Sequence, residues 1–139
     1  MESRKWRVGF WNQIQEGGGK MAKMYENLDA WKEATDLAVR IYEITKNYPK
    51  EEIFGITSQL RKAVISISSN LAEGAARKTK KDFKQFVHIA SGSLNEVESL
   101  LHISSRLNLI NADLHKELKE HVDREGRLIG GLLKYLNDK

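Results

Sequence analysis

The histidines and the regularly spaced carboxylates are the residues of this chain best suited to hold a metal ion. Glu117, His121 and Glu125 recur at four-residue spacing, so on a helix they share one face. That face is either a weak ion site or, as we favour, a solvated surface. His88 and His102 would lie roughly 21 Å apart along one helix, too far to share an ion. The paired Glu-x-x-His motifs of di-iron bundles do not occur. The sequence therefore predicts no metal site.

Nucleophilic catalysis and phosphate-loop chemistry also lack the residues they need. The chain contains no cysteine, which excludes a thiolate nucleophile, a disulfide and a thiolate zinc site. No serine stands in a Gly-x-Ser-x-Gly turn, and no glycine-rich loop precedes a Lys-Ser pair. We expect no catalytic residue, no cofactor and no enzymatic activity.

The strongest charge feature is a run of five cations between the second and third predicted helices. The run consists of Arg77, Lys78, Lys80, Lys81 and Lys84. Cations at a helix N-terminus oppose the helix dipole, but together with free backbone amides they bind phosphate well. Arg61 and Lys62 are expected within reach if the second helix packs alongside. The aromatic residue within the run, Phe83, belongs to the apolar stripe of the third helix, so phosphate contact is favoured over base stacking. A solubilising loop is the alternative explanation.

Apolar residues at three- and four-residue spacing predict four helices and no strand. The helices are expected at about 29–48, 50–74, 79–107 and 111–136. Pro49 ends the first, because the residue before a proline is driven out of the α region. The apolar stripe of the second helix starts at Ile53, and Gly74 is expected to end that helix. Thr79 and Asn111 cap the third and fourth. The fold class is therefore all-α, an antiparallel up-down four-helix bundle with short connections.

Several residues break the local rules of helix formation and indicate tight packing or assembly. Glu73 lies where the helix dipole disfavours a negative charge, so we expect a cationic partner, either Arg77 or a neighbouring chain. Gly92 lies inside a helix at a cost of roughly 1 kcal/mol against alanine, which a close helix approach would offset. Four apolar residues of the third helix lie outside its main stripe: Val87, Ile89, Leu100 and Ile103. This apolar excess predicts burial against another protomer, with close packing inside one chain as the alternative.

Residues 1–24 do not share the helical period of the rest of the chain, and they hold five cations and two anions, a net charge of +3. Three glycines, 17–19, break the segment. We interpret it as a disordered leader, or as a stretch translated from upstream of a native start at Met21 or Met24. A membrane-surface or partner-binding tail is the alternative. No apolar run is long enough to span a bilayer and no secretory signal is present, so we expect a cytoplasmic protein without a membrane partner. Residues 25–139 form the predicted bundle domain.

A string of motifs across residues 25–139 resembles a known family. The motifs are Leu28-Asp29-Ala30-Trp31 with Ala34; Tyr42 to Tyr48-Pro49; Glu52-Ile53-Phe54-Gly55; Gln59-Leu60-Arg61-Lys62-Ala63; Ser66-Ile67-Ser68-Ser69-Asn70-Leu71-Ala72-Glu73-Gly74; and Phe83 with Phe86, leading to Ile89-Ala90-Ser91-Gly92-Ser93-Leu94-Asn95-Glu96. The sequence is similar to the four-helix-bundle proteins encoded by intervening sequences inside bacterial 23S ribosomal RNA genes. That family includes the accessory protein of diversity-generating retroelements.

The resemblance implies a bundle protomer that assembles into a homo-oligomeric ring, typically a pentamer, with no enzymatic activity assigned. For the retroelement relatives it also implies a basic surface that engages RNA and the reverse transcriptase. The rule-breaking positions coincide with family motifs and are expected at packing or oligomer contacts: Asn70, Glu73, Gly74, Gly92 and Glu96. The residues expected to contact nucleic acid are Arg61, Lys62, Arg77, Lys78, Lys80, Lys81 and Lys84.

The resulting hypothesis is a non-enzymatic homo-oligomeric scaffold that associates with RNA or DNA through a basic surface. One alternative is a protein–protein interaction module, such as an accessory subunit of a reverse transcriptase. The other is an intervening-sequence protein with no direct role on RNA. The sequence leaves open the nucleic acid, the partner protein and the ring size.

Overall fold

The computed structural model describes residues 25–137, and the regular structure in that range is entirely helical. Its four α-helices are α1 (Asp29–Thr45), α2 (Ile56–Ala75), α3 (Lys80–Arg106) and α4 (Ala112–Asn137). A short 3-10 turn, Lys50–Glu52, lies between α1 and α2, and no strand occurs in this part of the chain. The prediction of an all-helical protein with four helices is confirmed. The interpretation of residues 1–24 as a leader falls outside the described residues and stays a prediction.

Side chains cap two of the helices at the predicted residues. The Asp82 backbone N–H donates to Thr79 Oγ1 at 3.1 Å at the start of α3. The Leu114 backbone N–H donates to Asn111 Oδ1 at 2.8 Å at the start of α4. Each cap satisfies one of the amide donors that a helix N-terminus leaves without an intrahelical partner.

The start of α2 differs from the prediction. The α-helix begins at Ile56, because Gly55 has φ −109° and ψ −119°, a conformation through which a helix cannot continue. Lys50–Glu52 therefore forms a separate 3-10 turn. Ile53, predicted to begin the buried stripe, is exposed, and the neighbouring Phe54 is 94% exposed. Both apolar side chains thus project from the connection between α1 and α2.

Each of the four helices contributes one apolar stripe to a shared core. The largest fully buried side chains include Leu37, Ile41, Leu60, Ile67, Phe83, Leu101, Leu118 and Leu132. Burying one such side chain stabilises a fold by roughly 1.5–3 kcal/mol. The most extensive packing is between α2 and α3, while α1 contacts both α2 and α4 and closes the bundle.

Helices α2 and α3 approach each other closely at Gly74. A Cβ atom at this position would lie 2.7 Å from Phe86 Cβ and 2.9 Å from Phe83 Cδ1, inside the contact distance. Gly74 does not end the helix as predicted, because α2 continues to Ala75 and no glycine of the described residues has a positive φ. The residue is a glycine because two aromatic residues of α3 occupy the space where a side chain would be.

The predicted apolar excess on α3 is only partly present. Val87 and Leu100 are buried within the protomer, whereas Ile89 and Ile103 are exposed. The prediction was wrong for the first pair because α3 packs against both α2 and α4, and two neighbours cover a wider stripe than one.

Replacing Gly74 with alanine should destabilise the protein by about 1–3 kcal/mol, because the added methyl group overpacks the contact with Phe83 and Phe86. The measurement is the free energy of unfolding from urea denaturation. Gly130→Ala is the matched control, since a Cβ there meets no atom within 4 Å, and it should gain about 0.5–1 kcal/mol. Equal effects of the two substitutions would contradict the packing role of Gly74.

Candidate nucleic-acid interface

The predicted cation run lies at one end of the bundle, where α2 ends, α3 begins and α4 ends. We call these five residues, Arg77, Lys78, Lys80, Lys81 and Lys84, the basic end. Two of them are held against the last turn of α4. Lys80 Nζ lies 4.6 Å from the centroid of the Tyr135 ring, and Lys84 Nζ donates to Asn137 Oδ1 at 3.0 Å. These contacts fix two positive charges beside the α3 N-terminus.

Arg77 is oriented by an anion and an aromatic ring. Its Nη2 lies 3.4 Å from Glu73 Oε1, and its Cζ lies 4.6 Å from the centroid of the Phe86 ring. Glu73 therefore has the cationic partner that its place in the last turn of α2 led us to expect. Both side chains of the ion pair are exposed, so it contributes at most about 1 kcal/mol to stability. Its main effect is to orient the guanidinium.

Lys78 and Lys81 complete the basic end, and both are exposed. Neither pairs with an acidic side chain within residues 25–137. Their charges are thus available to an anion in solution.

Arg61 and Lys62 do not join the basic end within one protomer, so that expectation is wrong. Gly74 contacts the first turns of α3, whereas Ser66 bonds to Ser93, further along α3. Moving back along α2 therefore leads away from the α3 N-terminus, and Lys62 lies roughly 22 Å from Arg77 along the helix axis. The sequence could not show this, because it depends on which ends of the two helices meet.

Arg61 ties α1 to α2 instead of pointing freely into solvent. Its Nε donates to Thr45 Oγ1 at 2.9 Å, and its Cζ lies 4.7 Å from the centroid of the Tyr42 ring. The half-buried guanidinium is engaged on both sides. Its role in the protomer is structural.

The predicted oligomer positions fall on or beside the seam between α2 and α3. Asn70 Nδ2 donates to the Ser66 carbonyl at 2.8 Å and to Ser66 Oγ at 3.0 Å. Ser93 Oγ donates in turn to Ser66 Oγ at 2.8 Å. Asn70, Ser66 and Ser93 therefore form a hydrogen-bonded network between α2 and α3 inside the protomer.

The outward side of this seam is exposed. We call it the outer α2–α3 face: Lys62, Ile65, Ser69, Ile89, Gly92 and Glu96. Ile89 is 52% exposed, and a Cβ at Gly92 would meet no atom within 4 Å. Close packing inside the chain therefore does not explain the helix-weakening glycine. Within the described residues, that face presents small and apolar groups to solvent together with the charges of Lys62 and Glu96.

The series Glu117, His121 and Glu125 is not the solvated face that we favoured. Glu117 is exposed and accepts from Arg40 Nε at 3.0 Å. His121 Nε2 lies 2.5 Å from Glu33 Oε2 on α1. Glu125 is fully buried, and neither of its carboxylate oxygens has a hydrogen-bond partner. Glu117, at one end of the series, is therefore in solvent, whereas Glu125, at the other end, is in the core.

Burial and, to a smaller extent, the nearby charge of Glu33 together raise the pKa of Glu125 to about 9. Glu125 is thus a neutral carboxylic acid at neutral pH. Arg124 Nε lies 3.4 Å from Glu33 Oε2, so the arginine offsets part of the Glu33 charge. No three carboxylates or histidines in residues 25–137 are arranged around one metal position. The sequence does contain a sign that Glu125 is buried. The residue falls at helical spacing within the apolar series Leu118, Val122 and Ile129.

Comparison with known proteins identifies the family. The family described as 23S rRNA-intervening sequence protein matches residues 26–131. The chain belongs to this family. The predicted resemblance is confirmed at that level, while the relation to the accessory protein of retroelements stays a prediction. No curated protein matches the chain.

A solved structure supports the assignment of the fold. It is the crystal structure of a protein with unknown function from the S23 ribosomal protein family of Bacteroides thetaiotaomicron VPI-5482. The two share 23% sequence identity with a TM-score of 0.70, and the match covers 76% of this chain and 95% of the other. At that identity the likeness concerns the fold alone.

Within the described part of this family member, no helix is both long and apolar enough to cross a membrane.

Replacing Glu125 with glutamine should remove a pH dependence of stability. Between the ordinary pKa of 4.5 and the folded pKa of about 9, the folded protein keeps a proton that the unfolded chain has released. Stability should therefore fall as pH rises through this window, by up to roughly 1.4 kcal/mol per pH unit. Urea denaturation of wild type and variant from pH 7 to 9 measures the difference in slope.

The exposed Glu117 provides the control for this experiment. Glu117→Gln should keep the wild-type slope, because that side chain is largely in solvent. Glu33, whose charge acts on the buried acid, is unchanged in both variants. Identical slopes for wild type and Glu125→Gln would show that the carboxyl group does not titrate in the folded state as expected.

Proposed function

We propose that this family member is a non-enzymatic, homo-oligomeric scaffold that binds nucleic-acid phosphates through its basic end. The observation that carries the proposal is the concentration of five cations at one end of the bundle, two of them exposed without an acidic partner in the described residues. Phosphate groups of RNA or DNA are the ligands that such an arrangement fits.

Preorganisation supports this assignment. Lys80, Lys84 and Arg77 are each held by a contact to an aromatic ring or an amide, so less side-chain entropy is lost when an anion binds. The Thr79 side chain occupies the Asp82 amide, which leaves other first-turn amides of α3 to face a phosphate. The contacts are to phosphate and not to base edges, so binding is expected to be tolerant of sequence.

The outer α2–α3 face supports assembly of copies. Ile65 and Ile89 are exposed there beside the small residues Ser69 and Gly92, which allow another helix to approach closely. Lys62 and Glu96 carry opposite charges on the same face, so copies can pair them across an interface. The α2–α3 contacts favour the antiparallel arrangement of the bundle, and the family resemblance implies a ring, typically a pentamer. Joining several basic ends multiplies a weak phosphate affinity.

A protein-interaction module is the second candidate function, and the connection between α1 and α2 favours it. Phe54 is almost fully exposed beside a groove of about 450 Å³ that Tyr42, Ile53 and Ile65 line. The polar side chains of Thr57, Ser58, Arg61 and Lys62 complete the lining of the groove. An exposed aromatic residue next to such a mixed groove is typical of a partner-binding surface. A reverse transcriptase is one such partner that the resemblance suggests.

Salt dependence separates the two functions. Binding of a fluorescent single-stranded RNA should weaken steeply with salt, with a log–log slope of about −0.7 per phosphate contact, or about −0.9 on duplex DNA. The double variant Lys78→Glu/Lys81→Glu should lose most of the affinity and make the slope shallower by those amounts for each lost contact. Fluorescence anisotropy at several salt concentrations measures both quantities.

Lys116→Glu provides the charge-matched control, because this exposed lysine lies at the start of α4, at the other end of the bundle. It should leave both the affinity and the slope nearly unchanged. A wild-type protein whose RNA binding does not respond to salt, or does not respond to the basic-end variant, would overturn the nucleic-acid proposal and favour the protein-interaction module.

Assembly is tested by Gly92→Arg, which adds bulk and charge where the protomer has open space. The variant should fold normally but weaken self-association by at least about tenfold, equivalent to about 1.4 kcal/mol. Light scattering after size exclusion gives the mass of each assembly. Gly130→Arg is the control, since that position is also open but lies on α4. A wild-type protein that is monomeric at micromolar concentration would refute the oligomeric scaffold.

A further inference from the structure

Two histidines face each other across α3 and α4, close to the connection between these helices. The ring centroids of His102 and His115 are 6.1 Å apart, and the ring planes are inclined by 54°. One helical turn away, Lys119 Nζ lies 3.5 Å from Glu98 Oε2. All four side chains line a surface cavity of about 350 Å³. A pair of imidazoles and a carboxylate thus surround one accessible space.

We propose that His102 and His115 form a binding site for a divalent transition-metal ion of the kind that prefers imidazole, such as Zn²⁺, Ni²⁺ or Cu²⁺. Neutral imidazole nitrogen is a strong ligand for these ions, whereas Mg²⁺ and Ca²⁺ prefer oxygen. The site is separate from the basic end and does not depend on nucleic-acid binding.

The spacing of the two rings fits a shared ion. With metal–nitrogen distances of about 2.0–2.1 Å, two imidazoles on one ion have ring centroids roughly 5 to 6.4 Å apart, depending on the angle at the metal. The observed 6.1 Å lies in this range. A tetrahedral angle requires the rings to approach by roughly 1 Å, which side-chain rotation at this open surface can provide.

Glu98 is positioned to be a third ligand. It precedes His102 by four residues, so the two side chains lie on the same face of α3. In this structure the Glu98 carboxylate pairs with Lys119. Within residues 25–137, no three potential ligands are already arranged around one ion position. The carboxylate must therefore exchange its exposed lysine partner for the ion. Water completes the coordination, because the cavity is open to solvent.

The other two histidines do not share this arrangement. His88 lies on α3 roughly 21 Å from His102 by helical rise. His121 is engaged by Glu33 on α1. The proposed stoichiometry is thus one ion per chain. Because the ion joins α3 to α4, its binding should stabilise the folded protein.

The test is isothermal titration calorimetry of the untagged full chain with ZnCl₂ and NiCl₂ at pH 7.5, together with thermal unfolding with and without metal. We expect one site per chain and a higher Tm with metal. His102→Ala and His115→Ala should each weaken binding by at least about tenfold, since even the loss of a residue that only supports a ligand costs about 10–100-fold. His88→Ala is the control and should bind like wild type.

Two further variants test the role of Glu98. Glu98→Gln should weaken binding if the carboxylate coordinates the ion, while Lys119→Gln should strengthen it by releasing Glu98. All positions are at the surface, so the metal-free Tm of each variant reports whether the fold is intact. The proposal is overturned if wild type binds neither metal at micromolar concentration. It is also overturned if binding persists in the His102→Ala/His115→Ala double variant, which would indicate an adventitious ion only.

Discussion

The contact between Gly74 of α2 and the aromatic residues Phe83 and Phe86 of α3 holds the end of α2 against the start of α3, where the basic end lies. The missing side chain lets the two helices meet just before the connecting loop, so the loop is short and its cations are held together. The ring of Phe86 also makes a cation–π contact with the Arg77 guanidinium. A larger residue at position 74 would separate the helices at the place where the basic end is formed, so packing and surface charge are linked through one glycine.

The surfaces of interest are well separated along the bundle. The basic end lies at the start of α3, and the histidine pair lies 22 residues later, roughly 33 Å away along the helix. The outer α2–α3 face lies between them. Because these surfaces share no residue, nucleic-acid binding, metal binding and assembly can be altered one at a time by surface substitutions. Coupling among them would have to pass through the packed helices.

Glu125 is the main exception to an apolar core. A carboxyl group without a hydrogen-bond partner is costly to bury, and it is tolerated because it is neutral at ordinary pH. Glu33, partly covered by His121 and Arg124, opposes its ionisation. Through Glu125, the contact between α1 and α4 therefore makes the stability of the fold depend on pH.

The sequence by itself determined the four helices, two of their caps and the run of cations, since these depend on local periodicity and on side-chain bonds to nearby backbone. It did not determine where α2 begins, because Gly55 adopts a conformation that composition does not reveal. Only the tertiary structure separated Lys62 from the basic end, placed Glu125 in the core and set His102 opposite His115. These outcomes depend on which helix faces pack together, and residues distant along the chain decide that.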